Sequence, residues 1–165
     1  MPKSKEQRVG VLVDAQNMYH SARNLHRAKL NFKEVLKTSV AGRILIKAIA
    51  YVVKSESAEE AAFFDALEKS GFYLQVKDLQ IFPGGMKKGD WDVGMAIDAI
   101  SMAEKLDVVV LVTGDGDFVP LVEYLKHKGV IVEIVAFSRS ASSKLINSAD
   151  EFFDLEENVN KFLIK

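Results

Sequence analysis

Five aspartates stand at spacings that could gather a metal. Asp14 ends the short β-branched run Val9–Val13 and opens the tetrad Asp14-Ala15-Gln16-Asn17. Asp92 and Asp98 lie in one stretch, six residues apart, and Asp115 and Asp117 flank Gly116 just beyond the apolar run Val108–Val112. Bringing such carboxylates together costs on the order of several kcal/mol of repulsion unless protons or a cation compensate. A hard, oxygen-seeking cation resolves that. Cysteine is absent and the three histidines, His20, His26 and His127, are scattered, so oxygen-only ligation favours Mg2+ or Mn2+ over Zn2+. Such an ion lowers the pKa of a bound water and stabilises the attacking and leaving oxygens of an in-line displacement at phosphorus. The chemistry that fits is phosphodiester hydrolysis without a protein nucleophile.

The same residues admit a structural reading. Aspartate at a strand-to-helix junction commonly caps the helix, and Asp14, Asp90, Asp115 and Asp117 all fall at such junctions. Capping does not account for two aspartates separated by one residue, because one helix takes one cap. Nor does it account for Asp98 inside its helix. At about 100° per residue, Asp92 and Asp98 point roughly 120° apart, so both cannot face one pocket equally; one of them would orient a lysine, bind through water or touch substrate. Asn17 is a candidate to hold Asp14 or contact a phosphate. Thr113 is a candidate to order a carboxylate or a metal-bound water, or simply to form the turn with Gly114. Lys87 and Lys88, in the glycine-rich loop Pro83–Gly89, are candidates for the phosphate backbone, although exposed lysines on loops usually do nothing specific. Trp91 is a candidate for base stacking or for packing.

The elements that position these residues follow from periodicity. Val9–Val13 reads as a strand, followed by a helix with Met18, Ala22 and Leu25 on one face. A short helix at Phe32–Leu36 leads to a buried strand at Ile44–Val53, a helix at Ser57–Leu67 ending near Gly71, and a strand region at Phe72–Phe82. After the loop come a helix from about Asp90 to Lys105, strand Val108–Val112, a helix at Phe118–Lys128 and strand Val130–Phe137. Ser140–Ser148 and Glu156–Leu163 read as closing helices. Apolar strands alternating with helices predict a parallel sheet covered on both faces, a three-layer α/β/α architecture. In such sheets ligands bind beyond the carboxyl ends of the strands, where strand order reverses. Asp14 and Asp115-Gly116-Asp117 both fall there.

The chain of 165 residues is 48% hydrophobic, which suits one sizeable core, and it reads as a single domain over 1–165 with its core at about 8–155. No apolar run reaches the ~20 residues of a membrane span, and the basic start Lys3, Lys5, Arg8 precedes only a short apolar segment, so a signal peptide is not expected. The lack of cysteine suits a reducing, cytoplasmic setting. Net charge is −1, unlike most nucleic-acid binders. Setting the five aspartates aside turns 23 acidic side chains into 18 against 22 basic ones, a mildly basic surround that also fits an ordinary solvated surface.

Three segments in order, Val9–Asn17, Lys88–Asp98 and Val112–Leu121, resemble the NYN domains of the LabA-like (DUF88) group, and the likeness extends from Val9 to about Leu155. The resemblance implies a PIN-like (Rossmann-like) fold with a central, mainly parallel sheet of order 3-2-1-4-5. It also implies a metal-dependent ribonuclease site using Mg2+ or Mn2+, acting on RNA, expected to be single-stranded. Asp14, Asp92, Asp98, Asp115 and Asp117 carry over as the acidic set, catalytic and metal-binding, with Asn17 and Thr113 as supporting polar positions. The first motif reads Asp-Ala-Gln-Asn where many relatives have glycine second, and Thr113 stands where serine is frequent; neither change removes a carboxylate.

A haloacid-dehalogenase-type phosphatase would need an aspartate where Gln16 stands, and a phospho-acceptor receiver domain would need an acidic pair after strand one. The rival that remains is a non-catalytic RNA-binding or protein-interaction module on the same fold. Beside RNA, a homo-oligomer or an unidentified protein partner is a further candidate for this chain, and no membrane partner is expected.

Overall fold

A computed structural model of the chain describes residues 3–55, 57–81, 83, 87–88 and 91–164, with backbone alone at 80–81 and 87–88. Six strands form its centre: β1 (Arg8–Asp14), β2 (Ile44–Lys54), β3 (Tyr73–Asp78), β4 (Val108–Val112), β5 (Ile131–Ala136) and β6 (Glu151–Asp154). Their order is β3-β2-β1-β4-β5-β6, and every neighbouring pair is parallel. The predicted order 3-2-1-4-5 is thus present, extended by one edge strand. The helices are α1 (Ala15–His26), α2 (Phe32–Val40), α3 (Glu60–Lys69), α4 (Asp92–Met102), α5 (Val119–His127) and α6 (Ser143–Ser148).

Successive strand side chains point to opposite faces, so a strand covered on both sides must be apolar at every position. β4 meets this demand, since Val108 through Val112 are all fully buried. On one face Val9, Val11 and Val13 join Ala48, Ala50 and Val52 against Met18 and Ala22 of α1, Val35 of α2 and Leu67 of α3. On the other, Leu12, Ile49, Tyr51 and Leu111 pack on Met95 and Ala99 of α4 and on Leu121, Val122 and Leu125 of α5. Each such Val, Leu, Ile or Met side chain contributes roughly 1.5–3 kcal/mol by leaving water. α3 stops as its glycine predicts: Gly71 takes φ +109, where an L side chain is strained.

Two expectations change, and one strand is new. The helix expected at Glu156–Leu163 is instead a 3-10 segment, Leu155–Phe162, kinked at Asn158 (φ −146), after which Leu163 pairs antiparallel with Leu30; Asp154 caps the segment through the Glu156 N–H at 2.9 Å, and buried Leu155 and Phe162 pin its ends. The strand expected to run from Phe72 to Phe82 leaves the sheet after Asp78, and Gln80–Ile81 instead pairs antiparallel with Lys87–Lys88. β6 was not anticipated; its four residues are too few to show an alternation.

At the amino-terminal edge, Arg43 reaches Glu133 of β5 by two hydrogen bonds of 2.9 and 2.8 Å, with side chains only 1% and 9% exposed. Its guanidinium also donates to the carbonyls of Val40 and Ser39 and to Gln7. Among the described residues no helix is long and apolar enough to cross a membrane.

Candidate functional site

Strand order reverses at β1, whose neighbours are β2 on one side and β4, reached by a long crossover, on the other. Val13 pairs with Val112, so the next residues, Asp14, which still pairs with Tyr51 of β2, and Thr113, stand side by side at the carboxyl edge. Fully buried Thr113 stitches the two strand ends together. Its Oγ1 donates to Asp14 Oδ2 at 3.3 Å and accepts from the Asp115 N–H at 3.1 Å. Asn17 adds a second stitch: its N–H donates to Asp14 Oδ1 at 3.4 Å, and its Oδ1 accepts from the Gly114 N–H at 3.1 Å.

Asp92 arrives from the other direction, at the first residue of α4. That start is fixed by Trp91, whose Nε1–H donates to the Val52 carbonyl at 2.9 Å and whose ring lies 5.4 Å from the Tyr51 ring. Trp91 therefore packs and anchors. Gly94 is required beneath it, because a Cβ there would sit 2.4 Å from the indole Cε3. The loop after β5 closes from the remaining side, with the Ser142 N–H donating to the Gly114 carbonyl at 2.9 Å. A Cβ on Gly116 would fall 2.7 Å from Ser142 Oγ, so glycine permits that approach.

One carboxylate oxygen each from Asp14, Asp92 and Asp115 lie within 4.8 Å of one another, and all three residues are half-buried. This is compatible with a bound divalent cation, and the all-oxygen donor set fits a hard one. Capping and clustering turn out to coexist. Asp14 and Asp115 both cap, the latter accepting from the Asp117 N–H at 2.9 Å, yet a carboxylate has about four acceptor positions and one cap does not exhaust it.

The expectation that five aspartates converge gives way to three. Asp98 lies outside the cluster because six helical residues rotate it away from Asp92; it accepts from the Tyr51 hydroxyl at 2.7 Å. Burial, and then Asp98, push that hydroxyl's pKa well above the ordinary tyrosine value. Asp117 is exposed on the short 3-10 turn Gly116–Phe118, where its backbone rather than its carboxylate meets Asp115. The side chains of Lys87 and Lys88, and the whole of Asp90, lie outside the described residues. Sequence reasoning missed Tyr51, whose apolar strand neighbours hide it, and the Ala141-Ser142 turn, for which Gly114 and Gly116 were the available signal.

Over 127 residues the chain is 27% identical to the low amplitude and bright protein LabA of Synechococcus elongatus, covering 73% of this chain and 68% of that one. It is 29% identical over 154 residues to the uncharacterized protein MJ0482 of Methanocaldococcus jannaschii, covering 92% of this chain but only 57% of that longer relative. A crystal structure of a protein of unknown function, VPA0982 from Vibrio parahaemolyticus, superposes with a TM-score of 0.88 at 32% identity, covering 99% of this chain and 100% of the other. The NYN domain profile matches residues 8–156, from the first strand to just past the last of the six, and the chain belongs to the NYN domain family.

Proposed function

We propose that this protein is a metal-dependent ribonuclease that hydrolyses RNA phosphodiester bonds at Asp14, Asp92 and Asp115. The observation that carries the reading is the approach of three carboxylate oxygens, from three separated segments, to within 4.8 Å at the carboxyl edge of the sheet. Membership of the NYN domain family supports it. Three negative charges at such spacing repel by between about 1 and 4 kcal/mol per pair, from bulk water to a protein surface, so the arrangement favours a cationic occupant.

A Mg2+ or Mn2+ ion held by the three would neutralise charge at phosphorus and supply a water acidic enough to attack. The chain's own contribution is placement. Thr113 holds the Asp14 carboxylate and the Asp115 backbone in one frame, Asn17 locks the β1 and β4 turns to each other, and Trp91 fixes the azimuth of Asp92. Lys87 and Lys88 are assigned to the substrate's phosphates, and Asp98 and Asp117 to support of the site.

The test pairs thermal unfolding with and without Mg2+ or Mn2+ with cleavage of a single-stranded RNA, using Asp14→Asn and Asp115→Asn as controls. Metal-dependent stabilisation together with cutting that both variants lose is the expected result. RNA binding without cutting under any metal would turn the reading toward a non-catalytic RNA-binding module.

A further inference from the structure

A groove of about 920 Å3 opens between α1, α3 and the short strand Lys29–Leu30. Its lining includes Gln16, two residues beyond Asp14, and Val53 near the end of β2. Gln16 is fastened to Val53 by two hydrogen bonds, Nε2–H to the carbonyl at 3.3 Å and N–H to Oε1 at 3.2 Å. The groove therefore begins at the carboxyl ends of β1 and β2, the edge that carries the acidic cluster. Its interior is mainly apolar and includes two half-buried aromatic rings, Tyr19 and Phe63, whose centroids lie 5.7 Å apart.

The segment that supplies one wall has a charge bias that the net charge hides. From Ala15 to Val40 the chain carries Arg23, Arg27, Lys29, Lys33 and Lys37 against a single carboxylate, Glu34, although the whole chain has net charge −1. Lys29 and Lys33 line the groove and are exposed, and the Arg23 guanidinium lies 6.0 Å from the Tyr19 ring. On the opposite wall Glu59 and Glu60 bring acid, but Glu60 is engaged with the Ser55 N–H and hydroxyl at 2.8 and 2.7 Å. Aromatic faces beside two exposed lysines suit an unpaired, polyanionic strand: every base has a face to stack, and the phosphates meet the lysines. A duplex would offer the phosphates but keep its bases stacked away from the rings.

We infer that this groove takes an unpaired nucleotide of a single-stranded nucleic acid, its base against Tyr19 and Phe63 and its flanking phosphates on Lys29 and Lys33. The inference rests on the ribonuclease reading for what lies at the carboxylates on the same edge of the sheet, and its test does not need turnover. In the full chain carrying Asp115→Asn, binding of a fluorescein-labelled single strand of about eight nucleotides is followed by anisotropy across a salt series. RNA, DNA of the same sequence and an RNA duplex form separate arms.

Lys29→Glu with Lys33→Glu is expected to weaken single-strand binding at least about tenfold and to reduce the slope of log K against log salt by about 1.4, at about 0.7 per lost phosphate contact. Tyr19→Ala is expected to weaken binding about tenfold with the slope retained, and to relieve the quenching of a 2-aminopurine placed in the strand. Because Tyr19 also packs on Phe63, its variant counts only if it melts cooperatively; the two exposed lysines carry the test regardless. Loss in the RNA arm alone assigns the groove to RNA, and equal loss in both single-strand arms assigns it to strands of either sugar; both support the inference. Binding of the lysine variant within about twofold of its parent with an unchanged slope, or tighter binding of the duplex than of either strand, would overturn it. Failure of the wild-type chain to cut RNA under any metal would remove the catalytic reading and leave this result standing.

Discussion

Asp115 performs two roles that separate on substitution. Its Oδ1 caps the 3-10 turn through the Asp117 N–H at 2.9 Å, a bond that an asparagine carbonyl can also accept. Its charge belongs to the cluster. Asp115→Asn should therefore abolish RNA cleavage and the stabilisation by Mg2+ or Mn2+, while the metal-free protein melts at the same temperature or higher because one repulsion is gone. Undiminished cleavage by this variant would take Asp115 out of the mechanism. Tyr51 and Asp98 make the contrasting pair. Tyr51→Phe removes a buried donor from a carboxylate and should cost about 1.5–3 kcal/mol in a urea titration, the range for hydrogen bonds to charged groups. Cleavage should fall less than tenfold, since the bond lies outside the cluster. A loss of activity as deep as that of Asp115→Asn would instead place Asp98 among the metal ligands. The aspartates themselves were legible from sequence, because their spacing exceeds what capping requires. Which three converge was not, since the choice between Asp92 and Asp98 depends on how α4 is rolled against β1 and β2, and no local pattern encodes that roll.

At the scale of elements, the start of α4 determines where Asp92 points, and it is held by an indole rather than by a helix cap. Trp91 is the N-cap residue of α4 and makes no side-chain capping bond; its Nε1–H goes to Val52 and its ring covers Gly94. Gly94→Ala would drive a methyl into the indole, an overpacking that costs about 1–3 kcal/mol. The expected signature is specific: in a thermal melt with and without Mn2+, the metal-induced shift should shrink by a larger fraction than the melting temperature falls, because Trp91 moves and Asp92 moves with it. Equal metal-induced shifts in variant and parent would mean that Trp91 merely fills space. The main helices and strands were readable because each of β1, β2, β4 and β5 is a nearly continuous apolar run and the helices between them carry amphipathic spacing. β6 and the Gln80–Ile81 with Lys87–Lys88 ribbon were not, since strands of four and two residues carry too little pattern and owe their pairing to neighbours distant in sequence. The same applies to Leu155–Phe162, whose helical composition is overridden at Asn158.

The whole molecule has an acid limit and a buried tie, each open to measurement. Hydrogen bonds from Arg8, first through its side chain and then through its backbone N–H, hold Asp107 below the usual carboxylate range. Burial acts to raise Asp154, but bonds from Ser138 and the Glu156 N–H outweigh it and hold this group low as well. A depressed folded-state pKa stabilises fully above the unfolded value near pH 4 and loses that contribution as pH falls through the folded one. Melts taken from about pH 7 down to about pH 2 should therefore decline on the acid side, and Asp107→Asn should flatten that limb; superimposable acid limbs would remove Asp107 from the effect. The tie is Arg43 with Glu133, at the edge of the sheet opposite the carboxylates. Removing one member of a buried pair leaves an uncompensated charge and costs about 3–5 kcal/mol, whereas replacing both with apolar side chains of similar volume is often neutral. Glu133→Ala strands a guanidinium that still donates to the Val40 and Ser39 carbonyls but has lost its countercharge. It should lower the urea midpoint by the equivalent of about 3–5 kcal/mol, and Arg43→Met with Glu133→Leu should recover most of that loss. Because the carboxylates are anchored through Thr113, Asn17 and Trp91 at the other edge, the metal-induced shift in melting temperature should survive in both variants. A Glu133→Ala chain that loses less than about 1 kcal/mol would refute the tie as a main support of the sheet, and one that also loses its response to metal would show the two edges to be coupled.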